Sequence, residues 1–448
     1  MQRDLTQGGI TGTMLRFAAP MALGNLLQQC YNIADTLIVG RFLGAQALAA
    51  VGSAYTLMTF LTSILLGLCM GSGAVISIRF GQRDPAKLRE SIAASFALIA
   101  GIALALNAAV FAGIDPILRG LQVPASVYGL MREYLWVIFW GIGATFLYNY
   151  FASLLRAVGN SAAPLLFLAV SAALNIALDL WFVLGLGWGV AGAAWATVIA
   201  QTVSGVGIGV YTWARAPLLR VPLRAVRLRR GAVGEIARFS LLTCVQQSVM
   251  NFGILMVQGL VNSLGPAVMA AFAAAVKIDA FAYMPVQDFG NAFSTFIAQN
   301  YGAGRHDRIR RGIRNAVRVS LIFSLAVSAG VCLLAEPLMG VFVQPDQTEI
   351  VAIGATYLRV EGAFYCGIGI LFLLYGLYRA LGKPGMSVVL TVISLGVRVA
   401  LAYVLSAIPA IGVVGIWASV PIGWFLADAV GCYVYRKRCP LPEKTQTA

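Results

Sequence analysis

Twelve apolar runs, each long enough to cross a bilayer, dominate this chain. They cover roughly 14–39, 47–77, 92–113, 132–155, 162–184, 190–214, 239–262, 267–298, 316–335, 352–377, 386–405 and 413–435. A helix needs about 20 apolar residues to cross the hydrocarbon, where every backbone polar group must be bonded within the segment. The predicted fold class is an all-α polytopic membrane protein with twelve transmembrane helices. Of the 448 residues, 60% are hydrophobic and only 11% charged, against about 45–50% and 25% in soluble domains. That excludes a soluble enzyme, a disordered chain and a disulfide-framed domain. A membrane β-barrel alternates polar and apolar residues along each strand, and these runs do not. No enzyme activity is expected.

The net charge is +15. Its distribution argues against a nucleic-acid partner, because the positive residues cluster between apolar runs. With the N-terminus inside, 26 of the 32 Lys and Arg fall on the cytoplasmic side and four outside; Lys277 and Arg398 lie within runs. This bias predicts a multi-pass protein of the plasma (inner) membrane with both termini cytoplasmic. Seven of the cytoplasmic positives (Arg215, Arg220, Arg224, Arg227, Arg229, Arg230 and Arg238) crowd the linker 215–238 between the sixth and seventh runs. The expected division is an N-lobe over 1–214, this linker, a C-lobe over 239–435 and a tail over 436–448. The first run is long enough to span and lacks a cleavage site, so no cleavable signal is expected. The seven cysteines form no C-x-x-C pair, and the single histidine, His306, falls in a basic loop. Neither a structural metal nor any cofactor is expected.

The two halves repeat each other. Phe80-Gly81 before Lys87-Leu88-Arg89 matches Tyr301-Gly302 before Arg308-Ile309-Arg310, and Leu43-Gly44 matches Leu264-Gly265, all at an offset of 221. Arg156-Ala157-Val158-Gly159 matches Arg379-Ala380-Leu381-Gly382, and Gly189-Val190-Ala191-Gly192 matches Gly412-Val413-Val414-Gly415, at 223. Six spans per half is an even number, so both halves insert with one orientation. A parallel repeat of this kind places a site at mid-membrane between the halves of an alternating-access transporter. No G-x-x-x-x-G-K-[ST] phosphate cradle is present, so the driving force is an ion gradient or the substrate's own gradient. Gly67-x-x-x-Gly71 and the cluster Gly205, Gly207, Gly209 are read as helix-packing surfaces.

Charges at the centre of a span cost about 2.5–3.5 kcal/mol on insertion scales, so those that remain are informative. The first half has Asp35 in span 1 and Asp179 in span 5. The second has Lys277, Asp279 and Asp288 in span 8, Glu361 in span 10, Arg398 in span 11 and Asp428 in span 12. Asn175 and Asp179 share a helix face at i, i+4. Asp35 and Asp179 both fall roughly 6–8 Å below the outer boundary. Two carboxylates at one depth can share a proton, and with an amide and a hydroxyl they can hold Na⁺; the alternative is a polar pair that only fixes helix packing. Lys277 and Asp279 are i, i+2 and do not face each other, so Lys277 is expected to pair with an acid elsewhere. Asp288 follows Pro285 and is expected to line a polar path or cap a break. Arg398 stands where the repeat places Asn175, which suggests a first half specialised for ion binding and a second for neutralised structure or substrate. Asp428 is read as an interfacial or structural charge.

Five stretches together resemble the multidrug and toxic compound extrusion (MATE) family. They are Asn32-Ile33-Ala34-Asp35-Thr36 with Gly40 and Leu43-Gly44, Leu154-Leu155-Arg156-Ala157-Val158-Gly159-Asn160, Asn175-Ile176-Ala177-Leu178-Asp179, Val190-Ala191-Gly192-Ala193-Ala194 and Ala298-Gln299-Asn300-Tyr301-Gly302-Ala303-Gly304. The resemblance covers nearly the whole chain. It implies two six-helix lobes around a V-shaped cavity, and export of cationic or amphipathic compounds in exchange for H⁺ or Na⁺. It also implies that Asp35, Asn175, Asp179 and Thr197 bind the coupling ion, and would ligate it directly if that ion is Na⁺. Gln28, Tyr134, Asn149, Lys277, Asp279, Asp288 and Arg398 would line the substrate cavity, and Pro20 would be a hinge. Some branches rely on an acid in span 7. Here Cys244-Val245-Gln246-Gln247-Ser248-Val249-Met250-Asn251 carries none, which favours coupling in the N-lobe. The expected partners are small organic cations and membrane lipid, and the expected state is a monomer. A lipid or lipid-linked glycan flippase is the alternative; it calls for a basic cavity, for which only Lys277 and Arg398 are available. A receptor or assembly factor fits the repeat and the buried acids poorly, and a channel lacks a filter segment.

Overall fold

The computed structural model describes residues 4–438 apart from 122, 222–228 and 345. Arg3, Arg224, Arg227, Cys439 and Lys444 of the charge and cysteine tallies lie outside the described residues. Twelve long helical segments follow one another. The first six are α1 Ile10–Phe42, α2 Ala45–Gly81, α3 Pro85–Ala112, α4 Ala125–Ala157, α5 Ala162–Gly185 and α6 Gly189–Arg215. The second six are α7 Arg230–Asn262, α8 Pro266–Gly302, α9 His306–Leu333, α10 Thr348–Gly362 with Tyr365–Ala380, α11 Pro384–Ser406 and α12 Val413–Arg438. Ten are long and apolar enough to cross a membrane, and the two pieces of α10, bent by 52°, make an eleventh. α1 is the twelfth by its 33-residue length; Gln28, Gln29, Asn32 and Asp35 make it less apolar.

Several helices extend past their apolar runs on the cytoplasmic side. α3 starts at Pro85 because the Asp84 carboxylate accepts the backbone N–H groups of Ala86 and Lys87, each at 3.1 Å, and proline suits a first helical position. α9 starts at His306, so the basic stretch read as a loop is helical. Its buried Ile309, Gly312, Ala316 and Ser320 form one stripe, while Arg311, Arg314 and Arg318 are exposed. A cationic helix face reads as a loop when only apolar runs are counted.

The repeat extends to the backbone. Gly159 and Gly382 close α4 and α10 with φ of 83° and 80°, the left-handed turn that ends many helices. At the loops after α2 and α8, Arg83 takes φ 56° where its repeat partner Gly304 takes 67°. A side chain in this region costs about 1–2 kcal/mol. Gly382→Ala is therefore expected to lower stability by about that amount, and Arg83→Gly to raise it, as read from thermal unfolding in detergent.

The chain forms two compact units. Among the described residues, one comprises 19–244 with Asp4, the other 5–18 with those from 245 to 438. The units thus depart from the linear halves at two matching places: the start of α1 groups with the second unit and the start of α7 with the first. Each exchange has a local cause. In the second unit, Arg308 donates to the carbonyls of Gly8 at 2.8 Å, Gln7 at 3.2 Å and Leu5 at 3.3 Å. Asn300 donates to Leu5 O and Gln299 Oε1 accepts from Leu5 N, so the residues before α1 are strapped to the α8–α9 corner. In the first unit, Gly67 and Gly71 let α2 touch the start of α7. A Cβ on Gly67 would stand 2.6 Å from Cys244 Cα. Both are the packing role read from the G-x-x-x-G spacing. Gly205, Gly207 and Gly209 likewise admit the Ala144 carbonyl and the rings of Phe167 and Phe151.

Outside the spans, Asp115 accepts from Arg132 Nε and from the Tyr128 hydroxyl, both at 2.9 Å. These partners, Arg132 first, hold its carboxyl below the usual carboxylate range. A lowered folded pKa contributes stability above the unfolded value of about 4, lost as pH falls through the folded one. Asp115→Asn should flatten the acid limb of the stability profile and lower the plateau near pH 7, where the ionised carboxylate contributes its stability.

Candidate functional site

The first unit brings Asp35 of α1 against Asp179 of α5, near enough for their carboxyls to hydrogen-bond when one is protonated. Asp179 is fully buried and Asn175 nearly so. Asn175 Nδ2 donates to Thr197 Oγ1 of α6 at 3.2 Å, and that hydroxyl donates to the Ala193 carbonyl at 3.1 Å. This leaves four buried acceptors without a donor: Asp35 Oδ1, both Asp179 oxygens and Asn175 Oδ1. No Lys or Arg among the described residues pairs with either acid. Buried acceptors are normally bonded, so this oxygen set suits a proton or a small cation. The turn after Asp179 widens into a π-helical segment, Leu180–Gly185, a distortion that is frequent at functional sites.

Tyr134 of α4 is buried within electrostatic reach of both carboxylates. Tyr31, one turn before Asp35 on α1, also adjoins Asp35, and Gln28 lies within hydrogen-bonding reach of its hydroxyl. Tyr31 is not among the residues expected from sequence, and its i−4 spacing from Asp35 is the one signal that points to it. Asn149 bonds the Thr145 carbonyl of its own helix at 2.8 Å. Thr145 instead donates to Gln201 Oε1 of α6 at 2.8 Å.

The second unit holds a different arrangement. Asp279 of α8, Glu361 of α10 and Arg398 of α11 interact in one buried group with Tyr357 and Tyr365. Arg398, the repeat counterpart of Asn175, thus balances two acids. Tyr357, four residues before Glu361, was not singled out from sequence. Lys277 does not take the expected carboxylate partner. It is exposed and, among the described residues, unpaired, because two helical residues turn it about 200° from the face that buries Asp279. Asp288 is buried on α8 just after Pro285, and Asp428 is buried on α12. Arg379, counted with the cytoplasmic charges, is buried and donates to Asn291 Oδ1 at 3.1 Å.

The family model MatE matches the chain twice, over residues 20–181 and 243–404. This chain belongs to the multidrug and toxic compound extrusion (MATE) family. Each match falls within one half of the polytopic fold, from α1 into α5 and from α7 into α11, and the family comprises membrane transporters rather than enzymes. Among similar proteins is the probable multidrug resistance protein YpnP of Bacillus subtilis, 29% identical over 392 residues that make up 87% of each chain. The FAD transporter of Shewanella oneidensis is 23% identical over 100% of this chain and 99% of its own. A solved MOP superfamily transporter from Pyrococcus furiosus has the same fold, with a TM-score of 0.90 over 97% of both chains at 24% identity.

Proposed function

We propose that this MATE protein is a secondary active efflux antiporter of the inner membrane, with both termini cytoplasmic. It exports cationic or amphipathic organic compounds in exchange for H⁺ or Na⁺ by alternating access. The observation that carries this reading is the buried pair Asp35 and Asp179, with four acceptor oxygens that lack a donor. The ion binds there from outside, satisfies those oxygens and lowers affinity for the organic cation. Release of the ion inside restores that affinity. Such exchange requires ion and substrate to bind the two conformations unequally. Asn175 and Thr197 orient Asp179, and Tyr134 and Tyr31 form the wall against which a flat cation can stack. Pro20 removes one backbone hydrogen bond close to where α1 passes from one unit to the other, which suits a hinge. A flippase for pyrophosphate-linked lipids is disfavoured, since Lys277 is exposed and Arg398 is balanced by two acids.

The test uses everted membrane vesicles with an inward-acid gradient and an organic dye cation. Substrate-triggered collapse of the gradient without Na⁺ establishes proton exchange. Dye uptake that starts only on adding Na⁺ establishes sodium exchange. Neither response across a broad panel of cations would overturn the exporter reading.

A further inference from the structure

Between α3, α4 and the chain that follows α6 in the first unit lies a groove of about 380 Å³, within the size range of small-molecule sites. Ile92 and Phe96 of α3, Phe151 and Leu154 of α4, Trp213 near the end of α6 and Leu219 just beyond it line it. Its wall hydroxyls are already bonded. Tyr150 donates to the Ile92 carbonyl at 2.8 Å, and Thr212 to the Ile208 carbonyl at 2.7 Å. The groove therefore presents an apolar surface, which suits hydrocarbon.

Its mouth carries charge. Arg220 Nε donates to Trp213 O at 2.7 Å and Nη2 to Ala214 O at 3.2 Å, and its guanidinium carbon stands 5.9 Å from the Trp213 ring centroid. The cation is thus held at the rim by the end of α6. Among the described residues neither Arg220 nor the neighbouring Arg215 has a carboxylate partner. Trp213 is 61% exposed, and an exposed Trp beside Arg marks a membrane interface. Ile92 opens the apolar run of α3, so the groove begins where that helix enters the hydrocarbon on its cytoplasmic side.

We propose that this groove binds an anionic phospholipid of the cytoplasmic leaflet, with an acyl chain along α3 and α4 and the headgroup phosphate on Arg220 and Arg215. Charge complementarity selects this occupant: an apolar slot lined at one end by the Arg220 guanidinium, with Arg215 five residues before it in sequence and neither holding a carboxylate among the described residues, fits a lipid with a net negative headgroup and not a cationic substrate. The leaflet assignment rests on the cytoplasmic termini of the proposed function; the binding does not, and its test is independent of transport.

The full-length protein, purified in mild detergent, is titrated with phosphatidylglycerol or with phosphatidylcholine of the same acyl chains and read by native mass spectrometry. Phosphatidylglycerol is expected to be retained preferentially. Arg220→Gln should weaken it about fivefold and bring it towards phosphatidylcholine. Ala97→Trp fills the groove from an exposed position, leaves thermal unfolding in lipid-free detergent unchanged, and should reduce retention of both lipids. If Arg220→Gln unfolds, because Arg220 also bonds the end of α6, Arg215→Gln supplies the charge arm. Equal retention of the two lipids by the wild type would overturn the proposal. So would phosphatidylglycerol binding that survives Ala97→Trp, or its displacement by an organic dye cation.

Discussion

Asp179→Asn is expected to abolish ion-coupled export while the protein still folds. The amide has the volume of the carboxyl, so packing is kept. It carries no exchangeable charge, and its NH₂ group donates to Asp35, which fills with a fixed donor the place the ion would take. Coupling between sites is typically worth 1–3 kcal/mol, so substrate-driven gradient collapse should fall roughly tenfold or more. Asn149→Ala is the contrast. Its amide already bonds the Thr145 carbonyl, and exchange should change less than about twofold. Vesicle assays at matched expression separate the two variants, and wild-type rates in Asp179→Asn would remove this carboxylate from the mechanism.

The largest stability effect is expected at Gly67. An added Cβ would lie 2.6 Å from Cys244 Cα and 3.0 Å from its nitrogen. Backbone atoms cannot rotate away as a side-chain tip can, so α2 and the start of α7 must separate. Overpacking of this kind costs about 1–3 kcal/mol, and Gly67→Val should reach the upper end. Gly101→Ala on α3 is the control, since nothing lies within 4 Å of its added Cβ; the gain in helix propensity makes it neutral or slightly stabilising. Thermal unfolding in one detergent compares them directly. Equal melting temperatures for Gly67→Val and the wild type would show that the close approach is not maintained.

The fold was legible because membrane physics leaves few options. Runs of apolar residues give the twelve helices, and the 221–223 offsets give the repeat down to the left-handed glycines. The units' exchanged helix starts were not legible. They depend on Gly67 meeting Cys244 and on Arg308 reaching carbonyls some 300 residues away in the chain, and neither contact has a local signature. The bend in α10 and the π-helical turn after Asp179 are likewise products of packing. At the candidate site, Asp35, Asn175, Asp179 and Thr197 stood out as polar groups in apolar surroundings or by family resemblance. Tyr31 did not, since a tyrosine in a span reads as ordinary packing until a carboxylate is placed beside it. Lys277 lies within an apolar run, so a carboxylate partner was expected, but its side chain is exposed.

The most direct test of the central claim is ion release on substrate binding. An organic cation is added to purified protein in weakly buffered detergent, and released H⁺ and Na⁺ are followed together. Wild type is expected to release one of these ions as it binds substrate, and Asp179→Asn to bind substrate without releasing either. Substrate binding that releases no ion from the wild type, or releases as much from Asp179→Asn, would contradict coupling through the Asp35–Asp179 pair.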